Sequence, residues 1–169
     1  NDLDAALASF HAALAVEPED PYTHNNLGLA YTYLGQLADA VNSFRQALRF
    51  DPTDVFAWNN LGIALARQKK LDEAMECWNK ALQLEPRYAE ARFNLGLGWF
   101  DKKKYSEAMR EFRYALETDP ELLQARTHLA LAYAHLGDSI KARSQAELAC
   151  ELALSRGNTE EARRIREDV

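Results

Sequence analysis

The stretch Trp58–Gly62, WNNLG, has close copies at His24–Gly28 (HNNLG) and Arg92–Gly96 (RFNLG), and a weaker one at Arg126–Ala130 (RTHLA). Each begins 34 residues after the one before. Prolines keep the same step at Pro18, Pro52, Pro86 and Pro120. So do two alanine series, Ala6, Ala40, Ala74, Ala108, Ala142 and Ala13, Ala47, Ala81, Ala115, Ala149. A large aromatic follows suit at Phe10, Phe44, Trp78 and Phe112, then gives way to Ala146. A fixed period of this length marks a solenoid, in which a unit cannot bury its apolar face alone and must stack on its neighbours.

Within a unit the apolar spacing is helical. Trp58, Leu61 and Leu65 share one face, and Leu71, Ala74, Trp78, Ala81 and Leu82 share another. Asp20 before Pro21 reads as an N-cap with proline at the first helical position. Asp54, Asp72 and Ser106 are further N-cap candidates, and Gly35 and Gly137 suit the left-handed residue that closes a first helix. The periodic prolines end the second helices, because proline cannot extend the hydrogen-bond ladder.

Two helices per 34 residues, with Trp58, Leu61, Gly62, Leu65, Ala74, Trp78 and Pro86 at their spacing, resemble the tetratricopeptide repeat. His24, Leu27, Gly28, Tyr31, Ala40, Phe44 and Pro52 repeat the pattern, as do Arg92, Leu95, Gly96, Trp99, Ala108, Phe112 and Pro120. The fourth copy has Ala130, Ala146 and Leu154 in place of glycine, aromatic and proline. The resemblance implies an all-α protein, a right-handed α-α superhelix of helix hairpins. The expected division is 1–20, the second helix of a truncated repeat; 21–54, 55–88 and 89–122, full repeats; 123–156, a divergent repeat; and 157–169, a short capping helix. From the half unit at the start, a fragment of a longer array or a trimmed end is expected, and the closing NTEEARRIREDV is polar apart from Ala162, Ile165 and Val169.

Places are numbered from 1 at Pro21, Val55, Ala89 and Leu123. Places 7 and 8, the Leu-small pair, turn toward the second helix. Places 2, 6, 9 and 13 form a separate stripe. The resemblance implies that this stripe, with places 5 and 12, lines the concave surface. It holds Tyr22, Asn25, Asn26, Leu29, Thr32 and Tyr33 in the first full unit and Phe56, Asn59, Asn60, Ile63, Ala66 and Arg67 in the second. The third supplies Glu90, Phe93, Asn94, Leu97, Phe100 and Asp101; the fourth, Gln124, Thr127, His128, Leu131, Ala134 and His135. Apolar rings rimmed by polar groups signal binding.

The expected peptide-binding residues are Tyr22, Asn26, Tyr33, Phe56, Asn60, Arg67, Phe93, Asn94, Phe100 and His128. An amide both donates and accepts, so Asn26, Asn60 and Asn94 can pair with a peptide backbone whatever its side chains. That ladder resembles the one in O-GlcNAc-transferase-type repeat arrays, with His128 departing from it. The same asparagines also suit a bond to the neighbouring helix. The carboxylate clamp of chaperone co-factors in this family is not expected. Its places hold Asn25, Leu29, Asn60, Glu90 and Asn94, of which Asn60 alone fits; one unit later Asn94 alone fits.

The remaining signals exclude more than they assign. A net charge of −6 argues against nucleic acid, and no apolar run approaches the ~20 residues of a membrane span. Gly96-x-Gly98 lacks a third glycine and a preceding strand, so it reads as helix packing. His128 and His135 stand two turns apart without a completing ligand, so neither metal nor cofactor is expected. No nucleophile–base set has motif context, so no catalysis is expected. Cys77 and Cys150 lie in different units and read as reduced core thiols, which suits the cytoplasm, or the periplasm if an upstream signal was removed. Lys69, Lys70, Lys102, Lys103 and Lys104 occupy turns within the hairpins, which reads first as solvated turns and alternatively as a basic ridge that steers an acidic partner. The expected function is a scaffold that binds an extended protein segment. The alternatives are self-assembly as a homo-oligomer through Leu3, Leu7 and Phe10, or the targeting part of a larger enzyme.

Overall fold

The computed structural model describes residues 2–168, so Asn1 and the expected apolar residue Val169 lie outside the described residues. Ten α-helices and no strands occur among the described residues. They group into two compact units, Asn1–Pro86 and Arg87–Val169. The first holds α1 (Asp2–Val16), α2 (Pro21–Tyr33), α3 (Leu37–Phe50), α4 (Val55–Arg67) and α5 (Leu71–Leu84). The second holds α6 (Ala89–Asp101), α7 (Tyr105–Thr118), α8 (Leu123–His135), α9 (Ser139–Ser155) and α10 (Thr159–Asp168). In both units each helix packs on the next in sequence.

Local chemistry sets the helix starts. Asp20 is extended, and its Oδ2 accepts from the Thr23 amide at 2.9 Å, with Pro21 at the first helical position. Asp54 does the same through Oδ1 for the amides of Phe56 and Ala57, at 2.9 and 3.1 Å. These bonds satisfy donors that a helix N-terminus leaves open. Asp72 and Ser106, expected as caps, are instead the second residues of α5 and α7. Each hairpin turn has one fixed geometry that forces this shift. In the α4–α5 turn the Lys69 amide bonds the Ala66 carbonyl at 2.8 Å and the Lys70 amide bonds the Leu65 carbonyl at 2.9 Å. In the α2–α3 turn Gly35 and Gln36 bond Thr32 and Tyr31 in the same way. The left-handed residue of these turns is glycine at Gly35 and Gly137, φ 75° and 80°, but lysine at Lys69 and Lys103, φ 64° and 59°.

The periodic proline controls the far end of the hairpin. α3, α5 and α7 stop two residues before Pro52, Pro86 and Pro120. α9 has Leu154 in that place and runs on to Ser155, 17 residues against 14, with Gly157 (φ 74°) closing it. The place-4 side chain fastens the preceding proline turn: His24 Nε2 lies 2.9 Å from the Pro18 carbonyl, Trp58 Nε1 donates to Pro52 at 3.0 Å, and Arg126 Nη2 to Pro120 at 2.6 Å. Three chemically different residues thus share one role as N–H donors.

The core is built from the small-aromatic pairs. A Cβ added to Gly28 would lie 2.6 Å from the Phe44 ring; at Gly96 it would lie 2.5 Å from Phe112. The second helix fills the groove that each glycine opens. The fourth hairpin carries a Cβ at Ala130 opposite Ala146, and there α9 borders a cleft of about 730 Å³ beside α10. Ala162 and Ile165 of α10 are buried against Ala149, Cys150 and Ala153 of α9. Both cysteines are buried and free.

Candidate functional site

In unit Asn1–Pro86 the first helices α2 and α4 touch, and two side-chain bonds join them. Asn60 Nδ2 donates to Asn25 Oδ1 at 3.2 Å, and Arg67 Nη1 donates to the Thr32 carbonyl at 2.9 Å. Both bonds span 35 residues, so the helices run side by side in the same direction and their stripes merge. The sequence placed Asn25 and Asn59 on this open stripe, but both are buried, at 8% and 5% exposure. Place 5 lies in the helix packing: Asn25 meets Asn60 of the neighbouring first helix, and the Asn59 backbone carbonyl accepts from Trp78 Nε1 at 3.3 Å. Asn26 and Asn60 are half-buried. Asn60 therefore spends one donor on repeat geometry.

The outward places behave differently. Tyr22, Tyr33 and Phe56 are 72%, 81% and 60% exposed, and Leu29 is open beside them. Rings of this size left in water are costly at about 25 cal/mol per Å² of apolar surface. Arg67 is exposed at the C-terminal end of the same stripe, where its cation also meets the negative end of α2. Leu3, Leu7 and Phe10 of α1, expected to serve self-association, are each half-buried.

In unit Arg87–Val169 the corresponding rings pack on one another. Phe93 lies 5.8 Å from Phe112 and 5.5 Å, edge-on, from His128. Phe100 meets Tyr105, His128 and His135 at 5.1, 6.1 and 5.5 Å, and His135 stacks flat on Tyr105 at 4.2 Å. His128 Nδ1 lies 2.8 Å from the Gln124 carbonyl, which fixes Nδ1 as the protonated nitrogen. Both histidines are thus held by rings. Phe93, Phe100 and Asn94 are half-buried, and Asn94 has interactions of its own. The sequence treated the two units alike; Tyr22, Tyr33 and Phe56 of the first are largely exposed, and Phe93 and Phe100 of the second are half-buried in a seam between helices.

Among the described residues no group of three His, Cys, Asp or Glu could hold a metal ion. No helix among them is long and apolar enough to cross a membrane. Every buried side-chain nitrogen and oxygen described has a hydrogen-bond partner. Burial lifts the Cys77 thiol to about 11, which leaves it a core group with little thiolate.

Family models described as tetratricopeptide repeat match residues 55–88, 72–122 and 123–147, and one described as TPR repeat matches 28–69. No curated protein matches the chain. Solved structures similar in fold include MamA, 24% identical, covering 92% of this chain and 91% of that one, TM-score 0.83. YrrB, described as a TPR protein with an unusual peptide-binding site, is 23% identical over 97% of this chain and 84% of that one, TM-score 0.74. The first TPR of Spaghetti (RPAP3), bound to the HSP90 peptide SRMEEVD, is 24% identical over 70% and 94%, TM-score 0.68.

Proposed function

Since this chain belongs to the tetratricopeptide-repeat family, we propose that it is a protein-interaction scaffold holding an extended partner segment against its first helices. The open rings of Tyr22, Tyr33 and Phe56 on the joined stripe of α2 and α4 carry this reading. Aromatic anchors suit the centre of an interface, where burying a large ring yields most of the affinity. Asn26 and the unspent groups of Asn60 pair with the segment's backbone, as the resemblance to O-GlcNAc-transferase-type arrays suggests. Arg67 orients the segment. The second unit has its own corresponding surface of Phe93, Asn94, Phe100 and His128, with smaller contributions because these side chains are already half-buried. YrrB and the RPAP3 repeat, which share the fold, are described as peptide-binding and peptide-bound, which supports interaction in general.

The test is selection of binders from a library of unstructured peptides, followed by titration. Changing Tyr33 and Phe56 together to Ala should weaken the selected peptides at least about tenfold, two anchors each contributing about 1 kcal/mol or more. Val16→Ala, at an exposed apolar residue on α1, should leave affinity unchanged. Equal affinity for wild type and the double variant removes the proposal.

A further inference from the structure

The stripe of unit Asn1–Pro86 is chemically polarised along the helix axis. At the N-terminal ends of α2 and α4 stand Tyr22 and Phe56, both at place 2. At the C-terminal ends stand Tyr33 and Arg67, both at place 13. Between them lie neutral places: Asn26, Leu29, Asn60 and Ile63. Just past Arg67 the chain adds Lys69 and Lys70, both exposed, where the preceding hairpin has the neutral Gly35 and Gln36. The cations are thus confined to one end of an otherwise uncharged surface.

Arg67 is also held in place. Its Nη1 donates to the Thr32 carbonyl at 2.9 Å, which uses one of the five N–H donors of a guanidinium. Arg45, Arg92, Arg110, Arg156, Arg163 and Arg164 all have glutamate partners. Arg67, Lys69 and Lys70 have no acidic partner among the described residues. A cation fixed by a backbone carbonyl, with spare donors, is prepared for a carboxylate, because less side-chain entropy remains to be lost on pairing.

We propose that the partner segment carries an internal Asp or Glu side chain that pairs with Arg67, placed five positions along the chain from an apolar residue that packs on Tyr22 and Phe56. The spacing follows from the helices. Places 2 and 13 are eleven residues apart, about 16 Å at the rise of an α-helix. An extended chain covers that distance in about five residues at 3.3 Å each. Lys69 and Lys70 add attraction that speeds encounter and fades with salt. This inference rests on the groove reading above and adds the acid, its partner and its spacing.

The experiment titrates the full chain with labelled extended peptides containing Phe and Glu five positions apart, the other residues Ser, Thr and Gly. Parallel peptides carry Gln for Glu, carry Glu two positions from Phe, or carry Phe with a free C-terminal carboxylate as the acid. The Glu peptide at five positions should bind about fivefold or more tighter than its Gln and short-spaced counterparts. Its affinity should fall with added NaCl. Arg67→Gln should bring the Glu and Gln peptides to equal affinity, and Arg67→Lys should restore part of the Glu preference. Equal binding of Glu and Gln peptides to wild type overturns this inference while leaving the groove reading intact. Preference for the terminal carboxylate alone overturns the internal acid. Absence of binding by every peptide overturns both readings.

Discussion

Gly62 faces the indole of Trp78 so closely that a methyl group on its α-carbon would lie 2.4 Å from Nε1. The two helices of that hairpin approach only because place 8 has no side chain. Trp78 cannot retreat: it is buried, and its Nε1 donates to the Asn59 carbonyl. Gly62→Ala gains about 1 kcal/mol of helix propensity but must separate the helices or tilt the ring, an overpacking cost of about 1–3 kcal/mol or more. The expected outcome is a net loss of stability, read as a lower urea midpoint. The fourth hairpin, with Ala130 and Ala146, supplies the control. Gly96→Ala should cost less in a Phe112→Ala background than in wild type, a coupling of about 1 kcal/mol or more in a double-mutant cycle.

Lys69 and Lys103 occupy the left-handed position that glycine holds at Gly35 and Gly137. For a residue with a Cβ that conformation costs about 1–2 kcal/mol. Lys69→Gly and Lys103→Gly should therefore each raise stability, offset in part by the greater freedom of glycine in the unfolded chain. Thermal unfolding should show an increase of about 2–4 °C per kcal/mol gained. Gly35→Lys should move it the other way. A fall in melting temperature for both glycine variants would contradict the strain argument.

The Trp58 Nε1 to Pro52 bond isolates a donor role from an aromatic one. Trp58→Phe keeps a ring and removes the N–H, leaving the proline carbonyl to water. The expected cost is about 1 kcal/mol from the bond, plus the loss of apolar area. Trp58→His keeps a donor of the kind His24 supplies at the same place. If the donor matters, the histidine variant should match or exceed the phenylalanine variant in urea stability despite its smaller apolar surface.

Much of the architecture was legible because the period is written in residues with one physical meaning each. Pro52, Pro86 and Pro120 end helices, and Gly28, Gly62 and Gly96 mark close approach to a ring. The caps were half legible. Asp20 and Asp54 serve as read, whereas Asp72 and Ser106 lost that role to a turn whose left-handed residue is lysine. Nothing in Lys69 or Lys103 announces a positive φ. The place-4 donors were visible as residues, but their function depended on where the preceding proline carbonyl points. The stripe came from helical spacing, and its place on a concave surface from the resemblance. Whether its members stand open could not be read from it, since burial of Phe93 and Phe100 depends on Tyr105, His128 and His135 arriving from other helices.

Cys77 supplies a pH-dependent test of the core. Burial raises its pKa from 9.0 to about 11, opposed by the nearby Arg45 cation and reinforced by Glu76 and Glu73. Because the folded value lies above the unfolded one, the contribution to stability is complete below pH 9. It is lost as pH rises toward 11, since the unfolded thiol ionises first. Cys77→Ala should thus flatten part of the decline in stability between those values, relative to wild type, in urea titrations at stepped pH. The raised pKa also leaves the folded thiol about a hundredfold less ionised than an unfolded one at the same pH. At pH 8 a thiol reagent should therefore label Cys77 far more slowly than the unfolded chain, in a Cys150→Ala background that leaves one thiol. Rapid labelling of the folded protein would show that Cys77 is not sealed in the α5 core.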